Sequence, residues 1–152
     1  NEIFCLSKLG RYEEAHQLCE KAKKQLPESV EIYLQEGRLY LEEDKFEEAK
    51  QCWAVALQYA PEAETLVQIG NYSLDYGMVE NARLCFEEAK KQDPDYPGIN
   101  GRLASICIIL RVHKGIQEML SQNTDKDILQ NLETFMNELD DVNDGETEEE
   151  NN

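Results

Sequence analysis

The chain has 152 residues, 41% apolar and 31% charged, a globular balance long enough for one domain with a real core. Its formal net charge is −17; residues 137–152 hold eight acids and no base, which leaves the rest with 24 acids against 15 bases, or −9. An acidic body argues against nucleic acid and anionic membrane as partners, and no apolar run approaches the roughly 20 residues that span a bilayer.

In chain order, residues 1–9 read as the end of a helix whose beginning is missing. With no initial Met, this predicts a piece of a longer protein, with Phe4 and Leu6 exposed by the cut. Gly10 suits the left-handed conformation that ends a helix. A second helix follows over Tyr12 to Gln25, with Ala15, Leu18, Cys19, Ala22 and Leu26 on one face. Pro27 closes this partial unit, 1–27. The next unit, 28–61, has Ser29 as N-cap of a helix to Glu42. Asp44 then stands at the turn, and a helix over Phe46 to Tyr59 buries Phe46, Ala49, Trp53, Ala56 and Leu57. A third unit, 62–94, pairs Ala63 to Asp75 with Val79 to Gln92 around Gly77. The fourth, 95–121, is degenerate: a helix over Tyr96 to Leu110, then a short one over His113 to Ser121. Ile128, Leu129, Leu132, Phe135, Met136 and Leu139 trace one stripe, which predicts a capping helix within 122–140 on the exposed end of the stack. The acid run 141–152 has nothing to bury and is expected to be disordered.

The units repeat residue types as well as helices. Gly37 returns as Gly70; Ala15 as Ala49 and Ala82; Cys19 as Trp53 and Phe86; Pro27 as Pro61 and Pro94, at intervals of 34 or 33. A period in the thirties marks stacked helix-turn-helix units, hence an all-α solenoid. The small residues sit where paired helices approach closely. Cys52 and Cys85 hold one position in successive units, the cysteines number five, and none forms a CxxC pair. This favours small buried hydrophobes in a reducing, cytoplasmic compartment over a zinc site or disulfide framework.

Gly37, Tyr40, Phe46, Ala49, Trp53, Ala56 and Pro61, with Gly70, Ala82, Phe86, Ala89 and Pro94, resemble the tetratricopeptide repeat. The resemblance covers residues 1–121 and implies a right-handed solenoid whose concave wall is made by the first helix of each unit. It implies a protein or peptide partner, an extended segment or a helix, held in that groove. Glu36, where the family usually has Leu, and Ser73, where Tyr is expected, predict looser packing there. The wall positions, spaced at three and four, are Glu31, Leu34, Gln35, Arg38 and Glu42, then Glu64, Val67, Gln68, Asn71 and Asp75, then Arg102 and Ser105. Of these, Gln35, Arg38, Glu42, Gln68, Asn71, Asp75, Arg102 and Ser105 are the candidate binding residues. Gln and Asn both donate to and accept from a peptide backbone, and Arg38 and Arg102 offer two parallel hydrogen bonds to a carboxylate. The plainer alternative is a solvated face with Arg38 paired to Glu42. The carboxylate clamp of some family members is not expected, because Gly98 and Glu64 stand where basic residues are needed. The surrounding acids suit a mixed or basic ligand instead.

Nothing points to an enzyme, a cofactor or a metal. His16 and His113 lie on different units without a ligand or nucleophile at motif spacing, and His16 is expected on a solvated helix surface. The Glu-Glu pairs read as helix surface, and no phosphate loop, Rossmann fingerprint or nucleophile elbow occurs. The expected function is therefore an interaction scaffold or adaptor. The alternatives are a self-associating or spacer segment of a longer repeat protein, or a regulatory module of an upstream catalytic or DNA-binding domain.

Overall fold

A computed structural model describes residues 1–121 and 129–139. The tail 141–152 and the start of the expected capping helix, 122–128, lie outside the described residues. Seven helices follow one another: α1 (Glu2–Lys8), α2 (Tyr12–Gln25), α3 (Val30–Glu42), α4 (Phe46–Tyr59), α5 (Ala63–Asp75), α6 (Val79–Gln92) and α7 (Ile99–Ser121). An eighth, α8, occupies residues 129–139, and no strand occurs among the described residues. The chain divides into two compact units, Asn1–Ile106 and Cys107–Asn152.

In the first unit the three tight turns share one mechanism. Gly10, Asp44 and Gly77 take φ of +73°, +59° and +78°. The N–H of the following residue reaches back across the helix end: Arg11 to the Leu6 carbonyl, Lys45 to Tyr40 and Met78 to Ser73. That is the Schellman closure, which satisfies carbonyls a helix end leaves free and reverses the chain. Each second helix then starts without a side-chain cap, but Glu13 and Glu14, Glu47 and Glu48, and Glu80 put negative charge in its first turn. This complements the helix dipole.

The paired helices touch through glycine and aromatic ring. A Cβ added to Gly37 would lie 2.6 Å from Trp53 Cδ1, and one added to Gly70 would lie 2.8 Å from Phe86 Cδ1. The absent methyl is what lets each ring enter. Ala15, Ala49 and Ala82 are fully buried behind them. Burying a Phe-sized side chain contributes about 1.5–3 kcal/mol, so these rings are principal anchors of their repeats.

Several expectations need correction. Glu36 does not loosen the packing: it is buried and ion-paired with Lys23 of α2. Ser73, fully buried, donates to the Ile69 carbonyl at 2.8 Å and accepts from Asn81 Nδ2 at 2.7 Å. An ion pair fills the space at Glu36 and a hydrogen-bonded hydroxyl fills it at Ser73. Leu26, the C-cap of α2, and Phe46, the first residue of α4, are exposed. Phe4 and Leu6 are half-buried, Phe4 against Arg38 and Leu6 against the Ala15, Cys19 and Leu39 cluster. Cys5 and Cys107 are exposed thiols, whereas Cys19 is buried.

The fourth repeat departs most. No turn separates Leu110 from His113, and α7 runs unbroken for 23 residues. Every earlier turn needs a residue at positive φ, and the corresponding positions hold Leu110 and Arg111, which reach that conformation only at a cost. In the second unit, Phe135 of α8 packs its ring on Gly115, where an added Cβ would lie 3.0 Å from Cε2, and Met119 is buried. Leu129, Leu132 and Met136 are exposed, so the stripe expected to bury as one face is split.

Candidate partner-binding face

All eight candidate residues lie in the first unit, on α3, α5 and the start of α7. The first helices α1, α3 and α5 are neighbours, because every repeat returns the chain to the same side. Arg102 of α7 extends the row: its Nε donates to Asn71 Oδ1 at 3.2 Å and one Nη to the Pro97 carbonyl at 3.0 Å.

The repeat interval places residues about 34 apart side by side, and on this face they bond to one another. Lys8 Nζ donates to Glu42 Oε1 at 2.7 Å, and the Tyr76 hydroxyl donates to the same oxygen. Arg38 lies between two rings, its guanidinium carbon 4.2 Å from the centroid of Phe4 and 5.3 Å from that of Tyr72. Cation–π contact thus stands where the plainer alternative placed a pairing with Glu42. Gln35 is buried, and its Nε2 donates to Glu31 Oε1 at 2.7 Å and to the Tyr72 hydroxyl at 3.4 Å. Gln68 Nε2 donates to Glu64 Oε1 at 3.3 Å, while the Tyr96 hydroxyl donates to Glu64 Oε2 at 2.5 Å. Ser105 Oγ donates to its own helix at Gly101. Asp75 is exposed.

Titration follows these contacts. Burial pushes the Glu42 carboxyl up, but the bonds from Lys8 and Tyr76 outweigh it and hold it below the ordinary carboxylate value. Glu64 is lowered by the hydroxyl of Tyr96 and then by Gln68. The phenols of Tyr72 and Tyr76 are raised, first by burial and then by the charges of Glu31 and Glu42, respectively.

The candidates therefore divide. Gln35, Arg38, Glu42 and Arg102 join one repeat to the next, whereas Gln68, Asp75 and Ser105 bond only within their own helix or not at all. Asn71 does both: its oxygen holds Arg102, and its Nδ2 has no partner among the described residues. Sequence reasoning missed the aromatic members, Phe4, Tyr72, Tyr76 and Tyr96. Their signal is the interval, since Tyr76 stands 34 residues from Glu42 and Tyr96 stands 32 from Glu64.

Outside this face, His16 is half-buried rather than solvated: its Nε2 lies 2.5 Å from Glu43 Oε2 and its ring 4.6 Å from that of Tyr40. Among the described residues no helix is long and apolar enough to cross a membrane, and no group of three or more His, Cys, Asp or Glu side chains is placed to hold a metal.

Comparison with known proteins agrees with the internal repeat. The tetratricopeptide repeat family matches residues 6–70, from the end of α1 to the glycine of α5. A search of curated proteins gives no match. Over that span lie the glycine–ring contact at Gly37 and the positive-φ turns at Gly10 and Asp44, and a further copy follows at Gly70 and Gly77. Residues 6–70 thus belong to the tetratricopeptide repeat family, whose repeats generally mediate protein–protein interaction.

Proposed function

We infer that the face of α1, α3 and α5 binds an extended, basic or mixed-charge peptide segment of a partner protein, and that the chain acts as a non-catalytic scaffold or adaptor. One observation carries this: Glu31, Glu64 and Asp75 stand along neighbouring first helices without an ion pair among the described residues. The bases nearby are already engaged, Lys8 by Glu42, Arg38 by two rings and Arg102 by Asn71. A partner approaching this face meets four carboxylates, Glu31, Glu42, Glu64 and Asp75, against the three charges of Lys8, Arg38 and Arg102, a small negative excess. Gln68 and Asn71 add amide groups that match a peptide backbone, and the half-buried Tyr72, Tyr76 and Tyr96 supply aromatic surface for aliphatic stems of Lys or Arg. Such a face repels nucleic acid phosphates. The exposed thiols of Cys5 and Cys107 suit a reducing compartment such as the cytoplasm.

The test is selection of binders from a displayed library of random dodecapeptides, followed by affinity measurement on variants. Asp75→Lys and Glu31→Lys are expected to weaken the selected peptides by about tenfold each at low salt. Asn71→Ala is expected to weaken them less, with the melting curve of the Asp75 variant unchanged. Selected peptides that bind both charge-reversal variants as well as the parent chain would remove this reading.

A further inference from the structure

One side-chain contact recurs in the same form on α3 and α5. Gln35 Nε2 donates to Glu31 Oε1 at 2.7 Å, and Gln68 Nε2 donates to Glu64 Oε1 at 3.3 Å. Both pairs are spaced i, i+4, and the second is the first displaced by 33 residues, one repeat. Each glutamine thus ties down a carboxylate at the same place on its helix. Glu31 and Glu64 are exposed, and neither has an ion pair among the described residues. One repeat further on, the same two positions hold Pro97 and Gly101, so the row stops at two acids.

The interval between the two carboxylates follows from the fold. α3 and α5 are packed neighbours, joined by Gln35 to the Tyr72 hydroxyl and by the Tyr76 hydroxyl to Glu42. Packed helices stand about 8–10 Å apart. A segment answering both acids must therefore present two cations at about that interval on one of its sides. On one side of a β-strand, side chains recur every second residue, at about 6.8 Å, or every fourth, at about 13.5 Å. On one side of a polyproline II helix they recur every third residue, at about 9.3 Å. Only the second conformation matches.

We propose that the partner segment crosses α3 and α5 as a polyproline II stretch with Lys or Arg three residues apart, one against Glu31 and the next against Glu64. This rests on the reading of this face as a peptide-binding surface, and adds to it the conformation and the spacing of the ligand. Tyr72 and Tyr96, whose hydroxyls reach Gln35 and Glu64, stand beside the two acceptors. Their rings offer the aromatic surface on which polyproline II segments pack. Asp75 belongs to a different line, because it lies eleven residues beyond Glu64, about 16 Å along the same helix.

The experiment measures fluorescence anisotropy of labelled dodecapeptides with the full chain at low salt. Each peptide is alanine and serine apart from two arginines, set two, three, four or seven residues apart. The last is the spacing an α-helix would use, about 10.5 Å. The spacing of three is expected to bind about tenfold more tightly than the others. Prolines placed between those two arginines should tighten it by about a further threefold, because they preset the bound conformation. Glu31→Gln and Glu64→Gln should each erase the preference for three, whereas Asp75→Asn should weaken all four peptides alike. Equal affinities, a tighter peptide at another spacing, or loss of binding when the prolines are added overturns the proposal. Library peptides that bind this face without paired bases also overturn it, while leaving the face assigned. If neither set of peptides binds, the face assignment falls as well.

Discussion

Replacing Gly70 by alanine separates close packing from helix propensity. In an open helix the change stabilises by roughly 1 kcal/mol, because glycine is the poorer helix former. At Gly70 the new methyl would lie 2.8 Å from Phe86 Cδ1 and closer still to the ring edge, and Phe86 is fully buried with nowhere to swing. Either the ring leaves its rotamer or α5 withdraws from α6, and overpacking of this kind costs about 3 kcal/mol at the upper end of its usual range. The net expectation is a loss of about 2 kcal/mol, or a fall in Tm of about 4–8 °C for a chain of this size. Gly101, helical with open space around its would-be Cβ, is the control; Gly101→Ala should gain about 1 kcal/mol. Urea unfolding followed by circular dichroism and by the fluorescence of Trp53 measures both. Adding Phe86→Leu should recover part of the Gly70→Ala loss, giving a coupling of about 1 kcal/mol. If Gly70→Ala matches Gly101→Ala within about 0.5 kcal/mol, the interlocking of glycine and ring is wrong.

Three further outcomes follow from the same geometry. Lys23→Ala should cost about 3–5 kcal/mol by stranding the buried Glu36 carboxylate, whereas Lys23→Leu with Glu36→Ile, copying Leu57 and Ile69, should unfold no more easily than the parent in urea. Burial raises Glu42 and Glu43, but Lys8 and Tyr76 for the one, His16 and Lys45 for the other, hold both below the ordinary value of 4.5. Their stabilisation is therefore fully present above that unfolded value and is lost as pH falls through the lower folded values, so Tm should hold at mildly acidic pH and drop below about 4.5, less steeply in Glu43→Gln. Burial pushes the thiols of Cys19 and Cys52 up to about 12 and Cys85 up to about 11. A thiol reagent should therefore modify exposed Cys5 and Cys107 first, and a third cysteine reacting as fast in the native protein would contradict the packing.

Most of the fold was legible in the sequence, because each helix boundary has a local chemical cause. Tyr12, Phe46 and Val79 begin second helices two residues after Gly10, Asp44 and Gly77, and those three positions are the ones at positive φ. The fourth repeat failed on the same rule: apolar periodicity continued through Leu110, but no residue there favours the turn. Exposure at Leu26 and Phe46 was not legible, since periodicity marks a face and not what the fold brings against a helix end. The face was legible as a set of positions and not as a set of free groups. Spacing at three and four puts Gln35, Arg38 and Glu42 on one side of α3, but whether they remain available depends on what α1 and α5 bring across. Phe4, Lys8, Tyr72 and Tyr76 supply those partners, and only the distance between repeats shows that they reach. Glu36 illustrates the same limit, because its counter-charge, Lys23, lies on a different repeat.

The most direct test of the binding face is where a selected peptide touches the chain. Intermolecular NOEs from a labelled basic peptide should reach the ring protons of Tyr72, Tyr76 and Tyr96 and the side-chain amides of Gln68 and Asn71. NOEs confined to α2, α4 and α6, with those rings and amides untouched, would contradict the account.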